Sequence, residues 1–231
     1  MIHAVVTGAD QPLGAAATQG LRASGAAVVA LPTADTSRSA ATNAIVTAAT
    51  ELGAIDVLVI SGWSSPQLAP LPFEQLDDQG FHDIWEGAMQ GTLWSLQAAI
   101  PYLRAAGGSA IAMLPTTGMT GGSHYAAAAA TFEAQRILMK SAARQLAPEG
   151  IRVNIIAVGA EMVLADADAA DVHYLAPSAA GAPGALGAPG ALEVQPTGDD
   201  LADTIRFLIS PAARHLSGQT ITIDGGRWLA P

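Results

Sequence analysis

Cysteine is absent from this chain of 231 residues, which excludes disulfides, thiol nucleophiles and thiolate metal sites. Basic residues are scarce. Ten Lys and Arg stand against twenty Asp and Glu, a formal charge of −10 that repels nucleic-acid phosphates and anionic lipid surfaces. Neither nucleic acid nor membrane is therefore expected among its partners. No apolar run approaches the ~20 residues of a spanning helix. The first residues enter a strand pattern without a basic region and apolar signal core, so the expected location is the cytoplasm. The five histidines, His3, His82, His124, His173 and His215, have no companions at metal-ligand spacing. No P-loop or nucleophile elbow is present, and Ser61-Gly62-Trp63-Ser64-Ser65 reads as a polar turn because it lacks a His partner.

Half of the residues are apolar, enough for one domain spanning 1–231 with a sizeable core. Short apolar runs alternate with helical patterns. Strands are expected at 2–6, 28–31, 56–60, 110–114, 153–158 and 220–223, and helices at 12–24, 42–52, 79–105, 125–146 and 199–208. Near-continuous apolar strands between helices indicate an α/β fold, a doubly wound, three-layer parallel sheet of the Rossmann type. Residues 176–192 break the rhythm with a tandem Gly-Ala-Pro-Gly-Ala-Leu, too rich in Gly and Pro for a helix interior or central strand. This Gly/Ala/Pro-rich loop is expected to be a lid, a partner contact or filler.

Several blocks in the correct order resemble the short-chain dehydrogenase/reductase family. They are Thr7-Gly8 with Gly14, Asp56-Val57-Leu58-Val59, Leu146-Ala147-Pro148-Glu149-Gly150-Ile151-Arg152-Val153-Asn154, and Gly218-Gln219 followed by Asp224-Gly225-Gly226. The resemblance covers nearly the whole chain. It implies a Ser at the end of the strand before the catalytic helix, a Tyr on that helix, a Lys one turn later, and an Asn on the preceding long helix. Residues 107–118 match the strand pattern without gaps and put Pro115 at the Ser position; counting back from Gly150 puts Ala128 at the Tyr position and Phe132 at the Lys position. Gly91 anchors the earlier helix and puts Ala88 at the Asn position. All four functional groups are missing.

The neighbouring candidates are Tyr125, one turn before Ala128, and Thr116. In the Tyr125 register the Lys position becomes Ala129, which leaves the phenol without its cation. His124 reads as a solvent-exposed turn residue. Arg136 lies a turn beyond Phe132, too far to replace the Lys, which also argues against the halohydrin-dehalogenase branch.

The implied cofactor site is altered in parallel. Where the family has a glycine-rich turn, the chain reads Thr7-Gly8-Ala9-Asp10-Gln11-Pro12-Leu13-Gly14, with Pro12 at the middle glycine. The second strand ends at Leu31-Pro32, with neither an acidic ribose ligand nor a basic cluster. Trp63 follows Gly62 after the third strand, and Val163 replaces a threonine after Gly159. These departures lead to the expectation that neither NAD nor NADP is bound, Thr7, Gly8 and Gly14 being the contacts if one is.

Large apolar residues remain for association: Trp85, Met89 and Trp94 on one long helix, Phe132 and Met139 on the other, and Trp228-Leu229 in the tail. The sequence therefore leads to the expectation of a non-catalytic subunit. It would assemble, as a hetero-oligomer or tetramer, with an active paralogue of the family, such as one acting on hydroxyacyl-CoA substrates, or with itself. Two alternatives stay open: an active NAD(P)-dependent oxidoreductase using a displaced Tyr125, and a pocket repurposed for small ligands or non-redox chemistry.

Overall fold

A computed structural model describes residues 1–33, 37–62, 70–122, 124–159, 192, 196–226 and 228. Its centre is a six-stranded parallel sheet of order β2-β1-β3-β4-β5-β6. The strands are β1 (His3–Thr7), β2 (Ala27–Ala30), β3 (Val57–Ile60), β4 (Ser109–Pro115), β5 (Arg152–Val158) and β6 (Thr220–Ile223). Val5, Leu58, Ile111, Met113 and Ile155 are wholly buried, as central strands covered on both faces require.

The helices are α1 (Pro12–Ala23), α2 (Arg38–Leu52), α3 (Asp78–Ala106), α4 (Thr117–Thr120), α5 (Ala126–Leu146) and α6 (Gly198–Ile209). α1 packs on α6, while α2, α3 and α5 pack in series, α3 against both of the others. The α1–α6 seam is close: a Cβ added at Gly20 would sit 2.4 Å from the Ala202 Cβ. Side-chain caps set the helix starts. Ser37 accepts from the Ala40 N–H, which begins α2 four residues earlier than its apolar pattern does, and Asp77 accepts from the Gly80 N–H at the head of α3. α3 runs through Pro101, although proline lacks the N–H that would bond the Gln97 carbonyl. The one-turn α4 has no periodic signal of its own; it forms where the chain turns out of β4.

The terminal motif is held by polar bonds as much as by its strand. Asn154, fully buried, donates through Nδ2 to the Leu216 carbonyl (2.9 Å) and accepts at Oδ1 from the Gln219 N–H (3.0 Å). The Gly218 N–H donates to the Val153 carbonyl (2.7 Å) from a φ of +74°, which favours glycine. Asp224 accepts from the amides of Gly226 and Trp228 at 2.9 and 2.8 Å. Two residues earlier on β5, the Arg152 guanidinium donates to the carbonyls of Leu208, Ile209 and Ala213 and so closes the C-terminus of α6.

Among the described residues no helix is long and apolar enough to cross a membrane. The Gly/Ala/Pro-rich loop at 176–192 lies outside the described residues except for Leu192, whose N–H donates to the Gly225 carbonyl (3.0 Å). Trp63, Val163 and Leu229 lie outside them too. The expected association surface needs correction on one helix. Phe132 is 3% exposed and Met139 is wholly buried, so both belong to the core, because each faces the sheet from α5. The outward apolar groups are Phe81, Trp85 and Leu93 on α3 and Ile137 on α5. Phe81 and Trp85 stack one turn apart, with ring centroids 6.3 Å apart.

Candidate active site

Doubly wound sheets bind ligands outside the carboxyl ends of their strands, where the connections diverge. Here that point lies between β1 and β3, since β1 leads to β2 on one side and the chain returns to β3 on the other. Gly8 fills the junction. It has a φ of +70°, and a Cβ there would fall 1.3 Å from the Ser61 carbonyl oxygen, while one on Gly14 would fall 2.1 Å from the Gly8 oxygen. The Ser61 hydroxyl donates to the Thr7 carbonyl (2.8 Å) and is buried, so Ser61 ties β3 to β1 and is no nucleophile. Pro12 takes the first position of α1, where its missing N–H costs nothing to the helix. Asp10 in the same turn accepts from both the amide and the hydroxyl of Thr33 (2.6 and 2.9 Å), which fastens the glycine turn to the end of β2.

Beside this turn is a cavity of about 180 Å³ lined by Thr7, Leu31, Pro32, Thr33, Ser95 and the α2 face at Ala40, Ala41 and Ala44. Three alanines on one face of α2 open the space; larger side chains on that face would close it. A flat apolar base with a polar edge suits these walls. The phosphate side is less well provided, because Pro12 contributes no amide and Asp10 carries negative charge.

A second cavity, about 260 Å³, opens at the carboxyl ends of β3 and β4. Leu71, Leu76 and Ile84 form its apolar wall, Asp83 stands on one side, and His124, Tyr125 and Ala126–Ala128 close the other. Tyr125 is buried and occupies the N-cap of α5, so the positive end of a 21-residue helix opens into the same space. His124 is half-buried with a φ of +66°, the one positive φ outside glycine among the described residues. Its carbonyl accepts from the Leu71 N–H (2.7 Å), and that bond holds the 70–76 segment against the start of α5. His124 is therefore a wall of the cavity and not an exposed turn residue. The sequence shows only a His before a Tyr, and the backbone conformation that turns it inward is decided by the Leu71 contact.

The four family positions are filled by packed hydrocarbon. Ala128 is 2% exposed and lines the second cavity, and Phe132 lies under the turn after β4, where a Cβ on Gly118 would be 2.8 Å from its Cβ. Pro115 ends β4 in register with Val158 and is buried. Ala88 is buried in α3, and its carbonyl accepts from Gln135 Nε2 (3.1 Å), which also donates to Thr92 Oγ1 (2.7 Å). Gln135, which the sequence does not single out, therefore pins α3 to α5 beneath the cavity. Thr116 is buried at the head of α4, its N–H bonded to the Val158 carbonyl (2.8 Å), and it does not line the Tyr125 cavity. Of the two fallback residues, Tyr125 alone lines this cavity. Arg136 pairs with Glu133, which raises its pKa above the ordinary guanidinium value, and with Lys140 it faces a different cavity against Gln219 and Trp228. Among the described residues no group of His, Asp and Glu could hold a metal ion.

Residues 2–227 match the family described as enoyl-(acyl carrier protein) reductase. The chain is 32% identical to the cis-4-hydroxycyclohexanecarboxylate dehydrogenase of Sinomonas cyclohexanicum, over 96% of this chain and 95% of that one. It is 28% identical to the short-chain reductase protein NovJ of Streptomyces niveus (97% and 93%). It is 27% identical to the 3-oxoacyl-[acyl-carrier-protein] reductase FabG of Staphylococcus epidermidis (78% and 69%). These similarities correct two expectations. Relatives matched over 78–97% of this chain are named as dehydrogenases and reductases, so the reading as a non-catalytic subunit for an active paralogue does not hold. The expectation that no NAD or NADP is bound falls with it, because adding or removing hydrogen needs a two-electron carrier that side chains do not supply. The parallel sheet with its glycine turn at the crossover, and a match from residue 2 to residue 227, place the chain in the short-chain dehydrogenase/reductase family.

Proposed function

We propose that the chain is an NAD(P)-dependent oxidoreductase interconverting a carbonyl group and an alcohol, with Tyr125 as its proton-transfer group. The observation that carries this reading is the second cavity, an apolar space at the carboxyl edge with a buried phenol in its wall. Thr7, Leu31, Pro32, Thr33 and the alanines of α2 would hold the adenosine end of a dinucleotide, beside a turn that Gly8 and Gly14 let close against Ser61 and the Gly8 carbonyl. When bound, the nicotinamide ring supplies or accepts the hydride.

The chain's own part is to bind, orient and protonate. Leu71, Leu76 and Ile84 exclude water from the substrate, Tyr125 exchanges a proton with its oxygen, and His124 beside it passes that proton to solvent. No lysine assists. The N-terminus of α5 favours negative charge developing on an oxygen by at most ~2 kcal/mol, so the site works with a smaller electrostatic contribution than a Tyr–Lys pair provides. Thr116 keeps the α4 turn in place and has no substrate contact in this reading.

The test is Tyr125→Phe, which keeps the ring and removes the hydroxyl. With ketone and NADH or NADPH, kcat should fall ~10²–10⁴-fold, while nucleotide affinity measured by calorimetry stays unchanged. An undiminished rate in the variant would sink the assignment.

The long-helix face also supports a proposal: self-association through Phe81, Trp85 and Leu93 of α3 with Ile137 of α5, four outward apolar groups on adjoining helices.

A further inference from the structure

The chain's ten Lys and Arg are distributed unevenly. None falls between Arg38 and Arg104, between Arg104 and Arg136, or between Arg152 and Arg206. The connections that leave the carboxyl ends of β1 to β5, residues 8–11, 31–37, 61–77, 116–125 and 159–197, thus contain no Lys or Arg, His124 and His173 being their only histidines. Acidic residues are plentiful in the same stretches, Glu74, Asp77, Glu161, Asp166, Asp168 and Asp171 among them. The cavity beside Tyr125 follows this pattern. Its lining among the described residues holds one carboxylate, Asp83, exposed at the side and steadied by Gln79 Nε2 (2.7 Å), one imidazole, His124, and no Lys or Arg. The cations on α5 itself, Arg136 and Lys140, face a separate cavity, where Arg136 already pairs with Glu133.

We infer that this site selects uncharged carbonyl compounds or alcohols and rejects carboxylates and phosphate-bearing carrier thioesters. A permanent anion entering an apolar space that offers no Lys or Arg loses its hydration without gaining a permanent ion pair, a cost of several kcal/mol. The half-charge at the head of α5 is matched by a polarised carbonyl oxygen and is smaller than the full negative charge of Asp83. At about 260 Å³ the cavity falls below the ~300–1,000 Å³ that holds drug-sized ligands, which fits a single ring or short chain and not a long acyl group. The selection sets this chain apart from relatives whose names specify a carboxylate or an acyl-carrier substrate. It rests on the oxidoreductase reading only where turnover is measured.

The experiment compares cyclohexanone with 4-oxocyclohexanecarboxylate, the same ring without and with a charge, by ligand-observed NMR titration and by turnover with NADH or NADPH. The ketone should bind at least ~10-fold tighter at low ionic strength, the ratio shrinking as salt screens Asp83. Asp83→Lys should bring the two within ~3-fold of each other, and Asp83→Asn should fall between. Equal or tighter binding of the carboxylate to the unaltered protein overturns the inference, as does failure of both ketones to bind. An unchanged ratio in Asp83→Lys overturns it too. Binding of the neutral ketone without turnover leaves the charge selection standing and removes the oxidoreductase reading, so the two fail separately.

Discussion

The clasp between β5 and β6 and the turn between β4 and α5 both derive from family motifs, yet they differ in what they retain. At the clasp, the side chains of Asn154 and Asp224 satisfy backbone groups directly, and Gly218 supplies the positive φ from which its N–H reaches Val153. At the turn, the positions that would touch substrate hold Pro115, Ala128 and Phe132, all buried against carbon. A residue that completes the backbone's own hydrogen bonds cannot be exchanged without leaving buried polar groups unpaired. One that only faces a ligand can be replaced by hydrocarbon at no cost to the fold. The same motif set therefore persists where it builds the sheet and departs where it does chemistry.

That comparison breaks first at Phe132. Phe132→Lys, which writes the family's lysine back, puts a cation 3% exposed beneath Gly118, and should cost at least ~3–5 kcal/mol. Chemical denaturation should show a protein close to unfolding and no gain in rate; a stable, faster variant would mean the turn still accommodates the original pair. Asn154→Ala tests the other region. It leaves the Leu216 carbonyl and the Gln219 N–H without partners, so a loss of ~2–4 kcal/mol is expected, read as a fall in Tm of roughly 5–15 °C. A change of a degree or two would show that the clasp is redundant.

The smallest effect concerns α6, which Arg152 closes at one end and a Thr197–Asp200 capping box opens at the other. Hydrogen bonds from the Thr197 hydroxyl and amide hold the Asp200 carboxyl below its usual range. A lowered folded-state pKa contributes stability above the unfolded value of ~3.9 and loses it as pH falls through the folded one. The carboxylate is almost fully exposed, so screening keeps its own share small. Thr197→Ala should cost ~1 kcal/mol at neutral pH, and the Tm difference between Asp200→Asn and the unaltered protein should close as the pH is taken well below 4. A difference that grows on acidification would contradict the cap.

The fold was legible because its strands carry unbroken apolar runs, Val57–Ile60 and Ile155–Val158 above all, and its helices end at caps the sequence carries. The family positions were legible too, by counting from Gly118 and Gly150. Missing from the sequence was the cavity beside Tyr125, which joins residues 70–84 of one connection to 124–128 of another. Periodicity describes one element at a time, whereas the inward turn of His124 depends on a hydrogen bond to Leu71, 53 residues away.

By itself, then, the sequence determined the parallel sheet, the order of its elements, the loss of the usual side chains and the absence of Lys and Arg from the connections at one edge. These follow from local pattern and composition, which need no partner elsewhere in the chain. Only the tertiary structure decided that Phe132 and Met139 are core and not interface, that Thr116 is absent from the lining of the Tyr125 cavity, and that Tyr125, His124 and Asp83 share it. Those depend on which faces meet across long separations in the chain, which local pattern does not encode.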